Sequence, residues 1–119
     1  MDGPIYEFDA FDVMVDYLEE PNIKDNTPKK IKIRIENKYK MQESLNVKWY
    51  TDEGWVVGPS NRGKVFIGTW SGRNIEMEFT LFSEKVKEFV NRFAVEITIE
   101  GRPTVMLVPV VLLNGNINQ

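Results

Sequence analysis

Apolar residues recur at every second position over most of this chain. Phe11, Val13, Val15 and Tyr17 alternate with Asp12, Met14, Asp16 and Leu18, the signature of an extended strand with one buried row. Ile31, Ile33 and Ile35 alternate with Lys30, Lys32, Arg34 and Glu36. Leu45, Val47 and Trp49 alternate with Asn46, Lys48 and Tyr50, and Phe93, Val95, Ile97 and Ile99 with Arg92, Ala94, Glu96 and Thr98. Further strands are predicted over Trp55 to Val57, Lys64 to Trp70, Ile75 to Leu81 and Thr104 to Leu113. Asn22, Asp25, Asn26 and Pro28 mark a loop over 21–28, Asp52-Glu53-Gly54 marks a turn, and Ser71-Gly72 predicts a tight hairpin. Only Ser83 to Val90 breaks the period: Val86, Phe89 and Val90 fall at helical spacing behind a capping serine, which predicts one short helical turn.

About seven short antiparallel strands punctuated by turns predict an all-β fold, a sandwich of immunoglobulin-like type. The outward charges suggest its strand order. Lys30, Lys32 and Arg34 form a basic row, while the strands at 11–17 and 75–81 offer Asp12 and Asp16, and Glu76 and Glu78. Unlike charges opposite one another stabilise neighbouring strands, so the basic strand is expected between the two acidic ones. By the same reasoning Lys48 and Glu96 face outward on adjacent strands of the second sheet, with Trp49 turned inward.

The closing strand is different. Val105 to Leu113 carries no charge and does not alternate, so both of its faces are apolar although only one can enter a core. Either Met106, Val108, Val110 and Leu112, or Val105, Leu107, Val111 and Leu113, must find a cover. The first set is taken as the candidate interaction surface, covered by the N-terminal segment (Ile5, Tyr6, Phe8), another domain or a second copy. Pro109 suits an edge strand, where a missing N–H costs nothing.

Composition narrows the chemistry. The 119 residues, 42% of them hydrophobic, are expected to form one domain, 1–119, and their ragged ends suggest a piece of a larger protein. Fifteen basic against 18 acidic side chains leave a net charge of −3, which gives no field for nucleic acid or an anionic membrane. Cysteine and histidine are both absent, which removes disulfides, thiolate metal sites and the commonest general base. The lack of cysteine fits a reducing, cytoplasmic setting, and no signal peptide or bilayer-spanning run is visible.

Each remaining constellation has a plain structural reading. Asp9, Asp12, Asp16, Glu19 and Glu20 are strung along an extended segment, whereas calcium requires six to eight converging oxygens. Glu76 and Glu78 lie on one strand face among basic neighbours and read as ion-pair partners rather than a hydrolytic pair. The basic set Lys29, Lys30, Lys32, Arg34, Lys38 and Lys40 is flanked by acids that neutralise it. No catalytic residue, metal or cofactor is expected. The aromatic set Tyr50, Trp55, Trp70 and Tyr39 offers stacking surfaces for sugar rings, although Trp55 and Trp70 would serve equally as caps on the sandwich ends.

Two segments resemble a known family. Val47-Lys48-Trp49-Tyr50-Thr51-Asp52-Glu53-Gly54-Trp55-Val56-Val57-Gly58-Pro59 resembles the Glu-Gly-Trp stretch of immunoglobulin-like modules appended to bacterial enzymes, including those associated with galactosidases. Glu100-Gly101-Arg102-Pro103-Thr104 with Leu107 to Leu113 resembles the closing strand of the C-terminal immunoglobulin-like domains of bacterial ADP-ribosylglycohydrolase family proteins. With the strand Ile31 to Asn37 added, the resemblance covers most of the chain; Asp52 stands where the family often has proline. It implies an accessory module whose hydrolase site sits in a separate helical domain, so no catalytic residue carries over. The expected function is therefore a non-catalytic domain that docks on or stabilises a larger hydrolase, its partner being that catalytic domain or a second copy. The alternative is a carbohydrate-binding module using Tyr50, Trp55 and Trp70.

Overall fold

The computed structural model describes residues 2–8, 11–38, 43–59, 62–67 and 73–116. Ten strands are described: β1 (Asp2–Phe8), β2 (Phe11–Asp16), β3 (Asn22–Ile23), β4 (Lys29–Asn37), β5 (Glu43–Tyr50), β6 (Trp55–Gly58), β7 (Arg62–Ile67), β8 (Arg73–Ser83), β9 (Val90–Ile99) and β10 (Val105–Asn114). They form two five-stranded sheets, ordered β1-β2-β4-β8-β6 and β3-β10-β9-β5-β7. This is an immunoglobulin-like β-sandwich. All pairings are antiparallel except the two-residue contact of β3 with β10.

Packing explains why the alternating rows set the fold. Phe11, Val13 and Val15 of β2 and Ile31, Ile33 and Ile35 of β4 are fully buried. Facing them, Leu45, Val47 and Trp49 of β5 and Phe93, Val95, Ile97 and Ile99 of β9 are nearly so. Trp49 meets Phe79 edge-on across the core, with ring centroids 5.3 Å apart. Among the described residues its indole N–H has no partner, a donor whose cost the burial of two large rings must outweigh.

The charge stripes order the first sheet largely as the sequence implies. β4 lies between β2 and β8, with Lys32 opposite Asp16 and Glu78, and Arg34 opposite Met14 and Glu76. Arg34 donates from Nε and Nη2 to Glu76 Oε2 at 3.0 and 2.7 Å, which holds the Glu76 carboxyl below its ordinary pKa. The third row departs from the pattern, because Glu36 lies opposite Asp12. Lys38 relieves that repulsion by placing Nζ 2.8 Å from Asp12 Oδ1, and the carboxylate raises the Lys38 pKa.

Three sequence expectations change. No helical turn forms over 83–90: β8 runs through Ser83, and 84–89 is an irregular crossover. The helical spacing loses because neighbouring chain claims the backbone groups a helix needs. The Val86 N–H donates to Asp25 Oδ1 at 2.7 Å, the Asn26 N–H to the Ser83 carbonyl, and Asn114 Nδ2 to the Val86 carbonyl. Ser83 Oγ donates to the Lys85 carbonyl instead of capping an N–H. Secondly, β7 pairs with β5 and β8 with β4 and β6, so the two strands lie in different sheets and are not a hairpin pair; Ser71-Gly72 themselves lie outside the described residues. Thirdly, the N-terminal segment is strand β1, paired to β2, rather than a cover over the closing strand.

Candidate functional site

The β9–β10 hairpin decides which face of β10 is free. Its turn, Glu100 to Thr104, places Gly101 at φ +83°, a left-handed conformation that suits glycine. The Arg102 N–H returns to the Ile99 carbonyl at 3.1 Å. Arg102 also clamps the turn to β5, its Nε and Nη2 lying 3.1 and 2.9 Å from Oε1 of the nearly buried Glu43. With this turn fixed, Val108 faces Val95, Met106 faces Ile97 and Val110 faces Phe93, while Leu107 falls opposite Glu96 and Val111 opposite Arg92.

Met106, Val108, Val110 and Leu112 are consequently the core row, all at 0% exposure, and are not an interaction surface. The outward row is the other set. Val105 is 58% exposed, Leu107 56% and Leu113 40%, with Pro109 exposed and Val111 half-buried. Inward placement of the first set follows from pairing: its partners on β9 are mainly apolar, whereas the other row meets charged or small residues.

β10 also has an open edge. The Asn114 N–H points toward the β9 side, to the Phe89 carbonyl, whereas the Leu113 N–H points away, to the Pro21 carbonyl at 2.9 Å. The Val111 N–H likewise points away and is taken by Tyr17 Oη at 3.1 Å. Backbone direction alternates along a strand, so the N–H groups of Val105 and Leu107 and the carbonyls of Val105, Leu107 and Pro109 also point away from β9. Pro109 sits where its missing N–H breaks no ladder bond. Among the described residues, β3 pairs only with Leu113 and Asn114, so the edge is covered at one end and uncovered from Val105 to Pro109. Burial raises the pKa of the Tyr17 phenol, which keeps it neutral as the acceptor at the point where cover begins.

The other candidates lie elsewhere. Tyr50 is 42% exposed on β5, but its ring carries Lys48 Nζ 4.6 Å from the centroid and its hydroxyl donates to Glu96 Oε2 at 3.2 Å. Trp55, on β6 of the opposite sheet, is half-buried and meets Phe93 edge-on at 4.8 Å. It walls a shallow groove of about 310 Å³ with Asp52, Glu53, Lys87, Glu88 and Arg92. Tyr50 and Trp55 thus belong to different sheets and do not form a shared platform. Trp70, Tyr39, Asp9 and Lys40 lie outside the described residues. Within the basic cluster, Lys30 lies 3.8 Å from Glu78 and Arg34 pairs with Glu76. Among the described residues no three His, Cys, Asp or Glu side chains are grouped to hold a metal ion, and no helix is long and apolar enough to cross a membrane.

Sequence reasoning located the unusual strand but selected the wrong row of it. The missing signal was the hairpin register: Arg92 and Glu96 were already recognisable as outward, and pairing across the Gly101 turn puts Val111 and Leu107 beside them.

No family model and no curated protein matches this chain. Among solved structures it is similar to a FixG-related protein from Vibrio parahaemolyticus, with a TM-score of 0.64 at 9% identity, covering 91% of this chain and 99% of that one. It also matches the ASH / PapD-like domain of human CEP192 at a TM-score of 0.48 and 11% identity, over 86% and 82% of the two chains. At such identities the first likeness speaks to the fold alone.

Proposed function

We propose that this chain is a non-catalytic, immunoglobulin-like interaction module that docks through the outward row of β10. One observation carries the reading: an uncharged run, Val105 to Leu113, leaves Val105 and Leu107 more than half exposed on a sheet margin that no other strand pairs with there among the described residues. Exposed apolar patches on otherwise charged surfaces mark contacts. The partner we propose is the catalytic domain of a hydrolase of the ADP-ribosylglycohydrolase family, in the cytoplasm. That part of the proposal is supported by the resemblance of residues 47–59 and 100–113, and the low-identity structural neighbours neither add to it nor subtract from it.

Titration calorimetry of the chain against such a catalytic domain tests both parts. Binding is expected, and Leu107→Lys, checked for retained fold by circular dichroism, is expected to weaken it at least tenfold. An absence of binding by the unaltered chain removes the proposed partner, and equal binding by the variant removes the proposed surface. Release of ADP-ribose from a modified protein by this chain alone would overturn the non-catalytic reading.

A further inference from the structure

Asn114 and Gly115 form the one Asn-Gly pair of the sequence. That dipeptide is the most prone to spontaneous deamidation, because glycine puts no side chain in the way of ring closure. Packing calls for the glycine here. A Cβ at 115 would stand 3.1 Å from Lys24 Cγ and 3.3 Å from the Ile23 carbonyl oxygen, so β10 could not end as close to β3.

The fold occupies each atom that the reaction uses. Ring closure needs the Gly115 nitrogen to lose its proton and attack Asn114 Cγ, but that N–H donates to the Ile23 carbonyl at 2.7 Å. The Asn114 amide is held at both ends. Its Nδ2 donates to the Val86 carbonyl at 3.2 Å, and its Oδ1 accepts the Asn116 N–H at 2.9 Å. Asn116 is in turn clasped by Asp25: its Nδ2 donates to Asp25 Oδ1 at 2.7 Å, and its Oδ1 accepts the Asp25 N–H at 3.1 Å. These clasp bonds are exposed to solvent, and β3 adds only a two-residue pairing. Such a margin opens locally far more often than the buried core does.

We propose that Asn114 is a modification site, deamidated only when the Asp25–Asn116 clasp opens, and that its conversion undocks β3 from β10. In the open state the Gly115 nitrogen displaces ammonia from Cγ and forms a succinimide. Water then opens that ring to aspartate or isoaspartate, so the net change adds water and releases ammonia. Neither product fits the closed site. Aspartate sets a carboxylate oxygen against the Val86 carbonyl, where an N–H donor stood, and two acceptors repel. Isoaspartate lengthens the main chain by a methylene just before the Gly115 N–H. The uncovered margin of β10 then extends toward its far end.

The test follows Asn114 by peptide mapping and mass spectrometry while the purified chain ages at mildly alkaline pH. In strong urea the pair is free to react, and the folded chain is expected to convert about thirtyfold more slowly, its rate being the free rate multiplied by the open fraction. Asn116→Ala removes the clasp without touching a core side chain. It is expected to speed conversion about fivefold, the net worth of one hydrogen bond, and Asp25→Ala is expected to do at least as much. Ile33→Val weakens the whole fold from a fully buried position on β4 and is expected to leave the rate unchanged. Converted chain, separated by ion exchange, is expected to exchange its Gly115 amide hydrogen about fivefold faster than the unaltered chain. Equal rates in the folded chain and in urea, no acceleration by either clasp variant, or equal acceleration by Ile33→Val would each overturn the gate. A converted chain whose Gly115 amide stays fully protected would overturn the undocking.

Discussion

Truncating Leu112 and Leu107 to alanine, separately, tests the assignment of the two faces of β10. Leu112 is fully buried, with Asn91 opposite it on β9. Removing its branched end forfeits about 2 kcal/mol of transfer free energy and leaves a cavity between two sheets that cannot close freely. The combined loss expected is about 3 kcal/mol. Leu107 is 56% exposed, so truncation returns little buried area to water, and the loss expected is about 0.5 kcal/mol or less. Urea unfolding followed by tryptophan fluorescence, with buried Trp49 as the main reporter, separates the two. With a slope of about 1.5 kcal/mol/M, Leu112→Ala moves the midpoint down by about 2 M and Leu107→Ala by a few tenths. The slope itself should not change. A larger loss at Leu107 than at Leu112 would mean that β10 sits one residue out of place, because such a slip exchanges the faces of every side chain.

Two further outcomes follow from the charges. Arg102→Ala leaves Glu43 nearly buried without its guanidinium. The full cost of breaking a buried pair is about 3–5 kcal/mol, which Arg102, a third exposed, reduces to about 2. Replacing Glu43 by Met as well should restore much of the loss in urea unfolding, and a double variant weaker than Arg102→Ala alone would contradict this account. At Glu76, Arg34 lowers the folded pKa, so the contribution is present above the ordinary carboxylate pKa and is lost as pH falls through the lowered folded value. The urea midpoint of Glu76→Gln should therefore fall less than that of the unaltered chain on going from neutral to acid pH, with the difference shrinking in high salt. Identical acid profiles would show that the pair contributes nothing.

How much of this was legible in the sequence depended on whether a strand's two faces differ. β4 announces itself, because isoleucines and cations alternate without exception from Lys30 to Arg34, and its neighbours follow from opposite charge. Lys48 opposite Glu96 across β5 and β9 was legible for the same reason. β10 has two apolar faces, so its own residues cannot say which is inside; the answer lies in a turn of a few residues and in the charges of β9. The crossover at 84–89 was misread because helical spacing is a local signal, while Asp25 and Asn114, which claim its backbone, are remote in sequence. β1 and β3 were missed because one holds a Gly-Pro start and an irregular register, and the other is two residues long.

The order of strands also governs how the chain reaches its native state. Strands β4 and β5 are bonded to β8 and β9, partners some 40 to 50 residues away along the chain, whereas β1 with β2 and β9 with β10 are joined by short connections. Distant partners must be brought together against chain entropy before they are rewarded, which places this topology among slow-nucleating folds, on the millisecond-to-second scale. The uncharged arm at 105–113 lies on the short-range β9–β10 hairpin, so its outer side waits on Tyr17 and β3 for the cover that the described residues give it. An uncharged, extended segment of nine residues left uncovered while distant strands assemble is a site where aggregation competes with folding.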